Sequence, residues 1–444
     1  MTTLTAAATP AASTAADGSA PRPSIKRVAG ASLAGTTLEF YDHFIYGSAA
    51  ALVFPKLFFS TQTPLMATLL SLASYGVAFV ARPFGAALFG HFGDKLGRKW
   101  VLVVTLMMMG LATFGIGLLP TAATAGILAP LLLVALRIVQ GLALGGEWGG
   151  AALMVNEFDP SGKRRGFYGS LVQIAAPIGL LLANGMFAGV TWWLDEAAFL
   201  DWGWRIPFLS SALLIAVGLY IRMGLTESPL FEKMEQQEKQ GHAPLVEVLK
   251  NHKAAVGLAL GSRIGSDIAF YVFTLFLLVY LPQQLQLPKS IGLQAVLVGA
   301  VAQIIGIPLF GHLSDKIGRR PILLGGALAG IVWAFAFFAL VNTGSTPLIL
   351  LAAFVAMFIV AAMFSPLASF IPEMFPTKVR CTGSSIGFQL AGIFGGAPAP
   401  LIVVPLVAAF GSSLPVSIYL AASLALIVFC VLKAPETAHK NLDQ

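Results

Sequence analysis

Apolar residues fill this chain in runs long enough to cross a bilayer, and the polar residues gather between the runs. A spanning helix needs roughly 20 mainly apolar residues. Six runs meet that length in the first half: Val28–Leu52, Leu65–Phe89, Trp100–Leu119, Ala125–Gly146, Phe167–Trp193 and Arg205–Met223. Six more follow in the second: Ala254–Leu281, Ile291–Phe310, Ile322–Val341, Leu348–Ile371, Gly383–Ala409 and Leu414–Leu432. The runs are unbroken rather than alternating, which a barrel strand would require, so each is predicted to be a helix. The longest polar stretch, Glu227 to Lys253, divides the two sets and is predicted to form a linking helix on the membrane surface.

The two sets repeat one another. Gly90–Lys99 (GHFGDKLGRK) returns as Gly311–Arg320 (GHLSDKIGRR), keeping Gly, His, Asp, Lys, Gly and Arg in place. Glu157, Pro160 and Arg164 return as Glu373, Pro376 and Arg380 at the end of the fourth run of each half. Two motifs repeated in the same order indicate duplication of a six-helix unit. The predicted fold is an all-α membrane protein of two six-helix bundles related by a pseudo-two-fold axis. Its expected divisions are a disordered tail over residues 1–24, a bundle over 25–225, a linker over 226–253, a second bundle over 254–433 and a tail over 434–444.

Composition agrees. Of 444 residues, 57% are hydrophobic and 11% charged, whereas soluble domains carry about 25% charged residues. Such a chain has too little polar surface to cover itself in water. Most of the 27 Lys and Arg fall in the loops on one side, from Arg22, Lys26 and Arg27 through Lys163–Arg165 to Lys433 and Lys440. Only Lys56, Arg205 and Lys289 occupy the opposite loops. Basic loops stay cytoplasmic, so both termini are predicted inside and the number of spans is even. The net charge of +7 therefore reports topology. The basic residues are scattered over short loops, so no nucleic-acid partner is expected. Met1 to Ser24 lacks the apolar core of a signal peptide, and the first span is expected to be retained. Cys381 and Cys430 are too few for a disulfide framework, and no metal or nucleotide motif is present. No metal or cofactor is expected, and energy should come from an ion gradient.

Charges inside the runs are the candidate chemistry. An ionised side chain in mid-membrane costs at least a few kcal/mol and marks a functional site by default. In the first run Glu39 and Asp42 lie three residues apart, which predicts one helix face, and Tyr46 continues the stripe. In the seventh run Arg263, Asp267 and Tyr271 follow at spacing four. That pattern fits an internal Arg–Asp pair, or a guanidinium free to take a carboxylate in bidentate fashion. Arg137 lies inside the fourth run, above Gly141, Gly145 and Gly149, whose spacing predicts a bare face for close helix packing. Glu147 sits beside that face. Gly392, Gly395, Gly396, Pro398 and Pro400 predict a bend in the eleventh run. Asp94, Arg98, Glu157 and Arg164, with their counterparts Asp315, Arg319, Glu373 and Arg380, are the predicted gate. Their charges join helix ends and must part when that face opens. His91 and His312 hold matching turn positions, which favours a structural role.

The repeated turns and Arg137–Gly141 resemble the major facilitator superfamily. Within it, Leu38–Asp42 (LEFYD), Arg82–Gly85 (RPFG), Leu144–Gly150 (LGGEWGG) and Trp202–Phe208 (WGWRIPF) resemble the metabolite:proton symporter family. The resemblance runs from about Arg27 to Thr437. It implies a non-enzymatic transporter of the bacterial inner membrane that imports a small carboxylate with protons by alternating access. A zwitterionic osmolyte such as proline or betaine is the alternative cargo, and a drug exporter a more distant one. Proton coupling is then expected of Glu39, Asp42, Arg137 and Asp267. Substrate contacts are expected of Tyr41, Tyr46, Arg137, Arg263 and Tyr271. The partners are the small molecule, protons and the lipid bilayer, and a monomer is expected to suffice.

Overall fold

The computed structural model describes residues 25–96, 98–145, 164–223, 244–376 and 379–438. Within them the twelve runs are helical: α1 Ile25–Leu52, α2 Pro64–Leu96, α3 Arg98–Leu118, α4 Leu128–Gly145, α5 Arg165–Trp193 and α6 Glu196–Tyr220. The second half gives α7 Lys253–Gln284, α8 Lys289–Ile317, α9 Arg319–Val341, α10 Thr346–Glu373, α11 Thr382–Phe410 and α12 Leu414–Lys433. No strand occurs among the described residues. Ten of these helices are long and apolar enough to cross a membrane, and α3 carries a shorter apolar stretch, Val103–Leu118. The remaining helix, α1, is diluted by Thr36, Thr37, Glu39, Asp42 and His43, all of which are buried or half-buried. A spanning helix that polar must face protein rather than lipid. Trp192, Trp193 and Trp202 are exposed near the α5–α6 connection, as expected of residues at a membrane–water boundary.

Each helix reverses the direction of the last, so α1 begins and α12 ends at one end of the molecule, here the proximal end. Within the first half α1 packs on α5, α2 and α6, while α2 lies along α4. Gly141 and Gly145 do face α2: a Cβ on either would fall on the backbone of Ala78 or Arg82. Gly149 and Glu147 lie outside the described residues. The halves meet where α5 crosses α8 and α10, where α2 meets α11, and where α1 meets α7. Among the described residues three helices widen into π-turns, at Phe199–Gly203 in α6, Val272–Phe276 in α7 and Gly392–Gly396 in α11. The last falls where a bend was predicted, and there a Cβ on Gly395 would lie 2.8 Å from the carbonyl oxygen of Ile264 in α7. Such turns recur at functional sites. The linking helix is described only over Pro244–Asn251.

The segment after α12 is pinned down. Gly318, at φ +104°, lets the chain turn sharply into α9, and Glu436 accepts the N–H groups of Arg319 and Arg320 at 3.0 Å each. Burial disfavours the Glu436 carboxylate, but backbone N–H donors from Arg319, Ala438, Arg320 and Thr437 outweigh it and hold its pKa below the usual range. A group with a depressed folded-state pKa stabilises above its unfolded pKa and stops doing so as pH falls through the folded value. Glu436→Gln should therefore cost about 1 kcal/mol at neutral pH, the ordinary worth of a helix cap. The gap between wild-type and mutant melting temperatures in detergent should close as pH falls below the carboxylate range.

Candidate functional site

A cavity opens between the halves, with a void of about 960 Å³ counting the space at its mouth. Its wall on α1 carries Thr36, Glu39, Phe40, His43 and Phe44, the i, i+3, i+4 set of one helix face. Opposite, α7 contributes Arg263, Ser266, Asp267, Phe270 and Tyr271. Phe79 and Arg82 of α2, Gln303 of α8, Phe364 of α10 and Phe388 and Gln389 of α11 complete the polar and aromatic lining. Arg263 donates through Nε to Asp267 Oδ1 at 3.2 Å and through Nη1 to the Phe388 carbonyl at 2.6 Å. The internal pair is thus formed. Yet Asp267 Oδ2 and Gln303 Oε1 have no hydrogen-bond partner among the described residues, and neither does Arg82 Nε. Buried polar atoms are nearly always satisfied, so three unmet hydrogen-bonding atoms on residues that line one cavity fit a site that a polar ligand completes.

Glu39, Arg263, Asp267 and Tyr271 are brought together in this cavity; the other predicted contacts are not. Glu39 and Asp42 do not share it. Three residues at 3.6 per turn leave them roughly 60° apart, enough to turn Asp42 into the first half. There Asp42 takes hydrogen bonds from Ser211 at 2.8 Å and from Thr113. Tyr41 turns away as well, its hydroxyl held by the Pro207 carbonyl at 2.9 Å and by Ser210 at 2.8 Å. Tyr46 bonds Ser74 at 2.8 Å beneath the Arg137 guanidinium. Arg137 is fully buried and its nitrogens are engaged by the Tyr75 carbonyl, Gln140 and His43. Tyr41, Tyr46 and Arg137, expected as cargo contacts, do not line this cavity: Tyr41 faces α6, and Tyr46 packs against Arg137 inside the first half.

Asp42 is nonetheless wired to the cavity. Gln140 donates to Thr113 Oγ1 at 2.7 Å, Arg137 donates to Gln140 Oε1 at 2.9 Å, and Arg137 Nη2 reaches His43 Nδ1 at 3.2 Å. His43, Arg82 and Tyr75 were not singled out as site residues from sequence. A neutral histidine adds nothing to a charge count, Arg82 reads as part of a motif beside Pro83, and Tyr75 sits in an apolar run.

At the proximal end Asp315 closes the gap between halves. Its two oxygens accept the N–H groups of Gly166 and Phe167 at the start of α5, each at 2.8 Å, while Arg319 holds Oδ1 at 2.6 Å. A carboxylate on a helix N-terminus is favoured by both hydrogen bonding and the helix dipole. Arg319 also reaches Glu373 at 3.4 Å, and Ser369 donates to the Arg165 carbonyl at 2.8 Å. Arg380 donates to the Phe375 carbonyl at 3.3 Å, and Arg164 is exposed at the α5 entry. The side chains of Asp94 and Arg98, and Glu157 altogether, lie outside the described residues. At the distal end Glu196 binds Lys56 at 2.9 Å and Lys289 of the other half at 3.2 Å. Gln283 crosses to Thr68 at 3.1 Å.

Comparison with known proteins agrees with this geometry. Residues 33–400 match the family model described as Major Facilitator Superfamily. The chain is 42% identical over 417 residues to the inner membrane metabolite transport protein YhjE of Escherichia coli K12, covering 93% of this chain and 94% of that protein. It is 39% identical to the shikimate transporter of the same strain (89% and 91% covered) and 33% identical to its proline/betaine transporter (84% and 75%). Among solved structures it is similar to a D-xylose–proton symporter, with a TM-score of 0.75 at 20% identity over 94% of this chain and 100% of that one.

Proposed function

Since this chain belongs to the major facilitator superfamily, and is thus a multi-pass membrane transporter rather than an enzyme, we propose that it imports a small organic acid anion with protons by alternating access. The observation that carries this reading is the cavity between the halves, with the guanidinium groups of Arg82 and Arg263 on its wall. Arginine matches a carboxylate geometrically and stays charged. Its similarity to a shikimate transporter supports the same cargo class. The two bundles, residues 25–225 and 254–433, rock about the cavity, and both termini lie in the cytoplasm, so the proximal end is the inner face. A monomer carries the whole site.

In the proposed cycle cargo enters from outside and its carboxylate is taken by Arg263 and Arg82, with Tyr271 closing over it. Asp42 is the proton site, and Glu39 and Asp267 adjust to the charge in the cavity. The Thr113 hydroxyl has one proton and two acceptors, Asp42 and the Met109 carbonyl at 2.9 Å. It points to Asp42 when that group is ionised and to Met109 when it is protonated, so Gln140 and Arg137 sense the change. Asp315 then releases α5, and proton and cargo leave to the cytoplasm.

One observation favours a second reading. Asp267, one of whose oxygens has no hydrogen-bond partner among the described residues, lines the cavity, and a carboxylate there suits an ammonium group, which would make the cargo a zwitterion. Proteoliposomes offered labelled shikimate, citrate, 2-oxoglutarate and proline decide between them. Acid uptake that collapses with a protonophore and does not need ATP is expected. Proline uptake alone would favour the zwitterion, and acid uptake indifferent to the proton gradient would sink the symport reading.

A further inference from the structure

We infer that His43 is the positioning residue through which occupancy of the cargo cavity is passed to Asp42. The inference rests on the symport reading above. His43 is almost wholly buried on α1, between the two halves. Its Nδ1 faces Arg137 Nη2 at 3.2 Å and Arg82 Nη2 at 3.4 Å. Guanidinium groups only donate, so Nδ1 must be the acceptor and the ring hydrogen sits on Nε2. That nitrogen lies 2.6 Å from the Tyr75 hydroxyl and 3.3 Å from Tyr271 of the second half. Tyr75 passes its own hydrogen to the Tyr271 oxygen at 3.3 Å. The donors therefore run one way: Arg137 to His43, His43 to Tyr75, Tyr75 to Tyr271. On its other nitrogen Arg137 begins the path through Gln140 and Thr113 to Asp42.

The charged groups about the ring are Arg82 on α2, Arg137 on α4, Arg263 and Asp267 on α7, and Glu39 and Asp42 on α1 itself. The two arginines are the groups in contact, so a second proton on the imidazole would face two cations. His43 works as a neutral ring that accepts on one side and donates on the other; it does not carry the proton. Arg82 touches both systems, since it lines the cavity and shares Nδ1 with Arg137. An anion in the cavity draws Arg82 toward itself and leaves Nδ1 to Arg137 alone. Arg137 then shifts its hold on Gln140, and the change arrives at Asp42. Separation of the halves breaks the Tyr271 contact and resets the chain.

The test has two arms on the full chain. In the first, the probe is the proton. Nitrogen-15 spectra of histidine-labelled protein in nanodiscs, with His43 assigned by its loss in His43→Gln and in His43→Asn, should show a neutral ring protonated on Nε2. Its Nδ1 signal should move with pH in the wild type and stay still in Asp42→Asn. An imidazolium signal, or a pH response unchanged by Asp42→Asn, overturns the inference. In the second arm the probe is labelled shikimate in proteoliposomes. His43→Phe should lower steady-state accumulation about tenfold, within the usual span of a coupling energy, and lower it more than it lowers counterflow exchange. His43→Asn, which keeps an acceptor toward the arginines, should fall between. His43→Phe accumulating like wild type sinks the inference and leaves symport standing. Wild-type uptake without gradient dependence sinks symport, and shikimate left untransported rejects only that acid while the first arm still decides.

Discussion

Replacing Asp42 by Asn is expected to abolish gradient-driven accumulation, about tenfold for each ~60 mV of proton gradient imposed (roughly 1.4 kcal/mol per proton), while exchange of labelled for unlabelled cargo continues. The substitution is nearly isosteric. The Asn carbonyl oxygen still accepts from Ser211, which now sits 2.8 Å from Asp42 Oδ1. Its amide donates to Thr113, whose hydroxyl hydrogen then turns to the Met109 carbonyl. The helices α1, α3 and α6 keep their packing, and the transporter behaves as though permanently protonated. Exchange needs only the loaded carrier to reorient and should survive; net accumulation needs the proton to come off and should not. Counterflow and accumulation measured on the same vesicles separate the two. Full accumulation in Asp42→Asn would remove Asp42 from the mechanism.

The fold was open to reading from the twelve runs because backbone satisfaction in lipid leaves a twenty-residue apolar stretch almost one choice. The repeated Gly90 and Gly311 turns added the duplication. The α7 side of the cavity was also legible, since Arg263, Asp267 and Tyr271 at spacing four share a face whatever surrounds them. The α1 side was not. Periodicity tells which residues of a helix lie together, but not which neighbour each face meets. Glu39 and His43 meet the cavity; Asp42 and Tyr41, a fraction of a turn away, meet Ser211 and Ser210 of α6. That sorting belongs to tertiary packing. The surroundings of Arg137 were hidden for a related reason: a lone cation in a span calls for an anion, yet its partners are an amide, an imidazole, a carbonyl and two aromatic faces.

The second large effect is expected where α5 crosses α8 at the proximal end. Gly311 lets the helices touch: a Cβ there would lie 2.6 Å from Ser170 Cβ and 2.9 Å from the Gly166 carbonyl oxygen. Closure brings Asp315 onto the α5 N-terminus only because that crossing is bare. Gly311→Val should force the pair apart at a cost of about 1–3 kcal/mol for overpacking, a roughly 5–150-fold shift in the closed-to-open ratio at that end. In the proposed orientation this traps the inward-open form, so uptake should fall by a similar factor. A cysteine placed at Ser369, whose hydroxyl now bonds the Arg165 carbonyl across the halves, should label faster with maleimide from the inner face in a C381S/C430S background. Gly325→Val is the control, because a Cβ at Gly325 meets nothing within 4 Å and should leave both readings alone. If Gly311→Val transports like wild type with Ser369→Cys no more reactive, the α5–α8 crossing is not the surface that closes. The inner gate would then have to be sought at the turn around Asp94.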